Sequence, residues 1–220
     1  MAAKIFVHGS GHKASSWNGV IAQMTDKEDI FCPELSSLLE GKEADYADLY
    51  SAFAKYCSKI QGPVHLCGIS LGGILALNYA LDFPKKVKTL VLIGTPYKIP
   101  KIAFGIQRVI FRLLPKSVFE EMAFNKRDTF VLGNSMKNLD FSDAVSKITC
   151  PALILCGEKD SANRKAADFL GRNMKNAELK IIEHTGHVVN EESPKILAKI
   201  LSEYYVTAEK GDSSFENYPQ

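Results

Sequence analysis

Three side chains far apart in the chain are of the types that split an acyl bond. Gly68-Ile69-Ser70-Leu71-Gly72 forms a Gly-x-Ser-x-Gly run. A serine hydroxyl is a weak nucleophile. It needs a base to take its proton and an acid to orient that base. Downstream, Gly157-Glu158-Lys159-Asp160 offers two acids, and Glu183-His184-Thr185-Gly186-His187 offers two histidines. Asp160 reaches further into its loop than Glu158. His187 follows a glycine, whereas His184 ends an apolar run, where a histidine is more often structural. Both pairs stay open on these residues alone. His184 and His187 are spaced as metal ligands can be, but no carboxylate completes a known ligand set, so no metal is expected. His65 falls within an extended run and His12 in a loop, and both read as structural.

These residues need elements to carry them. Short apolar, β-branched runs recur at residues 4–8, 29–33, 63–68, 87–94, 151–157 and 179–184. Several are apolar almost throughout, as strands buried on both faces are. Between them lie helical patterns: a stripe of Tyr46, Leu49, Tyr50, Phe53, Cys57 and Ile60, then residues 71–83, 162–174 and 193–205. Strand alternating with helix implies a parallel sheet covered on both faces. The serine run sits between a strand and a helix pattern, so Ser70 should project at a helix N-terminus, where unpaired N–H groups favour negative charge. Glycines at 68 and 72 suit so sharp a turn. The backbone N–H of Leu71, the residue after the nucleophile, is one expected donor to an oxyanion. From Tyr97 to Ser142 the rhythm breaks into helical stripes without a good strand. The expected organisation is a core over 1–96 and 143–208, a helical insertion over 97–142, and a polar tail over 209–220.

Composition narrows the classes. The chain has 220 residues, 46% hydrophobic and 24% charged, with a net charge of +2. That excludes bulk disorder, collagen-like sequence and coiled coil, and gives no whole-molecule reason to expect a nucleic acid. The five cysteines form no Cys-x-x-Cys, which argues for reduced thiols rather than disulfides. There is no signal-peptide pattern and no apolar run of about 18 residues. A cytoplasmic protein without stable membrane association is the expectation; its oligomeric state is not legible.

In chain order the residues run serine, aspartate, histidine, each at a strand end, and with them the sequence resembles the α/β-hydrolase superfamily. The resemblance covers residues 4 to about 205. It rests on His8-Gly9, the run at 68–73, Gly157-Glu158-Lys159-Asp160, and Gly186-His187 followed by Glu192-x-Pro194. It implies Ser70 as nucleophile, Asp160 as acid, His187 as base, and a second oxyanion donor at the backbone N–H of Ser10. It implies an α/β-hydrolase fold of about six mostly parallel strands in the order 2-1-3-4-5-6, with helices on both faces and a small helical cap. The two strands that commonly precede His-Gly have no sequence here. No cofactor is implied, and the serine separates the chain from branches of this fold that use a carboxylate nucleophile.

The implied activity is hydrolysis of a small carboxylic ester through an acyl-enzyme. A thioester, a lactone or an activated C–C bond would use the same triad. The insertion holds six of the twelve phenylalanines. The pocket candidates are Trp17, Phe104, Phe111, Phe119, Met122 and Phe130, which would suit an apolar acyl group. The insertion also has eight basic residues against four acidic ones, a surplus that serves a solvated face or attracts an anionic substrate or surface. Two rival classes stand beside this reading. Gly9-x-Gly11-x-x-Ala14 with Glu34 fits a dinucleotide fingerprint, as in an NAD(P)-dependent oxidoreductase. A receptor or scaffold could also keep the hydrolase fold without the activity.

Overall fold

The computed structural model describes residues 2–99, 115, 117, 119 and 122–210. Six strands, β1 (Lys4–Val7), β2 (Ile30–Phe31), β3 (Val64–Ile69), β4 (Val87–Ile93), β5 (Ala152–Gly157) and β6 (Ala177–Ile182), form one sheet in the order β2-β1-β3-β4-β5-β6. All five pairings are parallel. The expected order is therefore found, and with it the reversal beside β1 and β3 that opens a crevice at the strand C-terminal ends.

The described helices are α1 (Asn18–Gln23), α2 (Leu35–Leu38), α3 (Tyr46–Ser58), α4 (Leu71–Asp82), α5 (Lys126–Met136), α6 (Ser161–Asn173), α7 (Val189–Glu192) and α8 (Pro194–Lys210). Side chains alternate across each strand and so feed two cores. On one face Leu66, Leu90, Leu92 and Ile154 pack with Leu49 and Phe53 of α3, Leu75 of α4 and Leu170 of α6. On the other, Cys67, Ile69, Val91, Ile93 and Leu155 pack with Val20 of α1 and Leu197 and Leu201 of α8. Both faces of β3, β4 and β5 are buried but for Lys88, which is why these strands are apolar except at His65, Lys88 and Thr89. Helix ends carry side-chain caps: Asp45 accepts from Ala47 N and Asn125 from Asp128 N.

Three expectations need correction. Trp17, a pocket candidate, is fully buried and stacks on Phe6 at 5.0 Å, so it serves the core between β1 and α8. The last helix does not stop near residue 205, and Glu209 does not belong to a polar tail without a role. The helix continues to Lys210, and Glu209 takes hydrogen bonds from Ala2 N (2.8 Å) and Lys88 Nζ (2.6 Å) and pairs with His65 Nε2 (3.0 Å). The last strand begins two residues earlier than its apolar run, because Ala177 pairs with Ala152.

In the insertion, an isolated antiparallel β-bridge pairs the backbones of Lys98 and Asp140, and α5 packs Leu132 and Met136 onto the core. Ser135 Oγ accepts from Tyr46 N at 2.9 Å, and Arg127 pairs with Glu43 at 2.9 Å, tying α5 to the start of α3 and the loop before it.

Candidate active site

Ser70 stands at the C-terminal end of β3 and caps α4. Its φ of 53° and ψ of −116° lie where side chains are rarely found. The surroundings hold it there: Ser70 N donates to Ile93 O (3.0 Å), and Ile74 N donates to Ser70 O (3.0 Å). The turn closes only with bare glycines. A Cβ on Gly68 would lie 2.2 Å from Gly72 O, and one on Gly72 would lie 2.2 Å from Val7 O. Strained backbone held by its neighbours is common at functional sites.

The first loop reaches over this turn. A Cβ on Gly9 would meet Ser70 Cβ at 3.4 Å and His12 Nδ1 at 3.6 Å. Gly9 thus lies against the nucleophile candidate, with Ser10 next in the loop, as Leu71 is next after Ser70. Leu71 N, at the first position of α4, has no partner within the helix by geometry. His12 was read from the sequence as structural, yet its ring borders the same point as Ser70. The fold-back of the loop, Gly9 O accepting from His12 N at 3.2 Å, brings it there.

The candidate acid and base come from the loops after β5 and β6. His187 Nδ1 lies 2.7 Å from Asp160 Oδ2. Their loops are joined by Lys159 N donating to Thr185 O at 2.9 Å. Asp160 is buried and caps α6. Burial alone would raise its carboxyl. The hydrogen bond and charge of His187 and the donors of Asn163 outweigh burial and hold the carboxyl below the usual carboxylate range. Asn163 Nδ2 lies 3.0 Å from each Asp160 oxygen. The histidine loop is shaped by Glu192, which accepts from Gly186 N (2.7 Å) and Val188 N (3.1 Å), the amides on either side of His187.

Gly94 joins the halves. It follows Ile93, the acceptor of Ser70 N, and a Cβ on it would lie 2.9 Å from His187 Nδ1 and 3.1 Å from Asp160 Oδ2. Ser70, through Ile93, and the imidazole, through Gly94, thus both border the end of β4. Neither Gly94 nor Asn163 was marked by the sequence reading, and His12 was read as structural. A glycine ending an apolar run was the one available signal, and it does not say what lies against it.

The rival histidine and acid also pair, with each other. His184 Nδ1 is 3.6 Å from Glu158 Oε2, and both side chains are largely exposed. His184 N donates to the same Glu158 oxygen at 2.8 Å, supporting a φ of 58° at His184. This is a device of the turn after β6. Among the described residues no three His, Cys, Asp or Glu side chains are grouped to hold a metal. His65 bridges Thr89 (2.8 Å) and Glu209 inside the sheet.

The dinucleotide fingerprint meets a different geometry. Beyond Gly11 the chain makes a 3-10 turn over Ala14–Trp17 rather than a helix opening on the glycines. Glu34 accepts from Ala14 N at 3.0 Å and sits 3.1 Å from His8 Nε2, bracing the loop. Burial pushes His8 down. In its neutral form Nδ1–H donates to Gly9 O (2.8 Å) and Nε2 accepts from Leu35 N (3.1 Å).

Of the remaining pocket candidates, Phe119 is buried beneath Lys126 Nζ, which lies 5.7 Å from its ring, while Met122 and Phe130 are half-buried. Phe104 and Phe111 lie outside the described residues.

The chain is similar to known proteins in sequence and in fold. The sequence matches the alpha/beta hydrolase family over residues 5–200. It is 22% identical to the 2-succinyl-6-hydroxy-2,4-cyclohexadiene-1-carboxylate synthase assigned in Bacillus subtilis, over 92% of this chain and 89% of that protein. It is 21% identical to monoacylglycerol lipase abhd6-B of Xenopus laevis, over 95% of this chain and 77% of that protein. In fold it is similar to MenH from S. aureus, with a TM-score of 0.78, 16% identity and 94% of both chains covered. A Thermogutta terrifontis esterase superposes with a TM-score of 0.75 at 16% identity, over 94% of this chain and 90% of that one.

Proposed function

The chain belongs to the alpha/beta hydrolase family, and from that premise we propose that it is a serine hydrolase that cleaves a small carboxylic ester through an acyl-enzyme intermediate. The observation that carries this reading is the Asp160–His187 pair at 2.7 Å, its carboxylate buried, beside Gly94, whose neighbour Ile93 holds the strained serine turn. A carboxylate only accepts, so His187 Nδ1 carries the proton of that bond and Nε2 is left to take one from Ser70. Ser70 Oγ attacks the ester carbonyl. The backbone N–H groups of Ser10 and Leu71 take the charge that develops on its oxygen, each worth about 3 kcal/mol in comparable oxyanion holes. His187 then gives its proton to the leaving alcohol and activates the water that releases the acid, with Asp160 stabilising the imidazolium.

The relatives' names run from a carboxylate synthase to monoacylglycerol lipases. They fit the hydrolase reading and leave the substrate to the acyl pocket, for which Phe119, Met122 and Phe130 are the described candidates. Thioesters, lactones and activated C–C bonds draw on the same groups. A fluorophosphonate probe tests the reading. Labelling of the wild type and none of Ser70→Ala is expected. A wild type that takes no label and hydrolyses no p-nitrophenyl ester would overturn it.

A further inference from the structure

Asn163 stands three residues beyond Asp160, on the first turn of α6. Its backbone and side-chain nitrogens both bind the carboxylate of the residue that caps that turn. Asn163 N lies 3.3 Å from Oδ1, and Asn163 Nδ2 lies 3.0 Å from both Oδ1 and Oδ2. The same Nδ2 is 3.2 Å from His187 Nδ1. Turning the amide over would set its carbonyl oxygen against the carboxylate, so chemistry assigns the NH2 group to this side. Oδ2 thus accepts two N–H groups side by side, one from the imidazole and one from the amide.

We propose that Asn163 is a positioning residue of this site: its side-chain amide divides the Asp160 carboxylate with His187, fixing the rotation of the carboxylate and limiting how strongly it supports a charged imidazole. This rests on the reading of Ser70, His187 and Asp160 as a triad. Two effects follow from the geometry. The amide nitrogen stands at equal distance from the two oxygens, with one N–H shared between them, so the carboxylate cannot swing Oδ2 away from the imidazole without losing that bond as well. The carboxylate's charge is also spread over three donors, so the imidazolium gains less from it than from an undivided partner.

The other charged or titratable groups around the pair are held elsewhere. Arg164 pairs with Asp168 on α6 (3.5 Å), Glu158 with the His184 turn, and Glu192 with the amides flanking His187. Cys156 Sγ, 3.8 Å from Asp160 O, is pushed up to about 11 by burial. His12 lies on the Ser70 side of the pair. Asn163 is thus the described neutral donor on the Asp160 oxygens beside His187.

The test uses Asn163→Leu, which keeps the size and removes the donors, and Asn163→Asp, which replaces them with a charge. The acid limb of the pH–kcat/KM profile should move to higher pH by about half a unit to one unit in N163L and further in N163D. kcat should fall about tenfold with little change in KM. A residue that only braces α6 would lower kcat in both variants and leave the limb in place, and that result would overturn the proposal. Thermal melts confirm that each variant is folded; if N163L does not fold, N163D carries the comparison alone. Imidazole ring-proton NMR across the same pH range reads the same order of midpoints without turnover. Unlabelled wild type would sink the hydrolase reading, whereas unchanged midpoints in labelled protein would sink this one.

Discussion

Gly94 and His187 are in contact through an absent side chain: a Cβ on Gly94 would stand 2.9 Å from His187 Nδ1. The strand that accepts the Ser70 amide therefore ends in a residue whose bareness admits the imidazole. Its φ of 51° adds a second reason for glycine.

Gly94→Ala should separate catalysis from folding. The new methyl strains the left-handed backbone, at about 1 kcal/mol, and displaces the imidazole from Asp160. A displacement approaching 1 Å lowers kcat/KM about a hundredfold. Ester kinetics beside a thermal melt checks this; parallel small losses in both would contradict it.

Asp160→Asn should retain the fold and lose about 10⁴ in kcat. The introduced amide can present its NH2 to Nδ1, which stabilises the tautomer with its proton on Nε2, facing the serine. Fluorophosphonate labelling should slow in proportion.

Glu192→Gln should loosen the histidine loop. One carboxylate oxygen now serves Gly186 N and the other Val188 N. A glutamine side chain has one acceptor oxygen, so one amide is orphaned, at about 1–3 kcal/mol. A lower Tm together with a several-fold fall in kcat is expected. An unchanged Tm would show that the loop does not depend on this carboxylate.

Glu209→Gln should flatten the acid end of the stability curve. Lys88, Ala2 N and His65 outweigh burial and hold Glu209 down at about 2. A carboxyl depressed on folding contributes stability that is present above its unfolded value, about 4.3, and is lost as pH falls through about 2. With the side chain about a fifth exposed, the contribution is on the order of 1–2 kcal/mol. Urea melts between pH 5 and 2 should show the wild type losing this increment and the variant lacking it from the start.

Much of this arrangement is written locally. Leu90, Val91, Leu92 and Ile93 form an apolar run because both faces of β4 are covered, and that is readable from the run itself. Ser70 is readable because the glycines its turn requires are two residues away on either side. Asp160 and His187 could be placed at strand ends, but their choice over Glu158 and His184 needed resemblance. What settles the geometry is contact between elements 24 to 93 positions apart, as with Asn163 and His187 or Gly94 and His187. Trp17 was misplaced for the same reason, since an aromatic side chain looks alike in sequence whether it faces a pocket or Phe6. The C-terminal turn of α8 was missed because Glu209 looks like any exposed acid until Lys88 and His65 are set beside it.

The hydrogen bond from Ser70 N to Ile93 O joins the proposed nucleophile to the interior ladder of the sheet. His187 lies in a loop held largely by side chains, with its own side chain 37% exposed. The two partners thus belong to different tiers of protection against solvent exchange. The Ser70 amide should exchange only when the sheet as a whole opens, whereas the amides of Gly186 and Val188 should exchange through a smaller, more frequent opening. On warming, the imidazole would leave its register while the serine was still in place, and activity would be lost below the temperature at which the sheet melts.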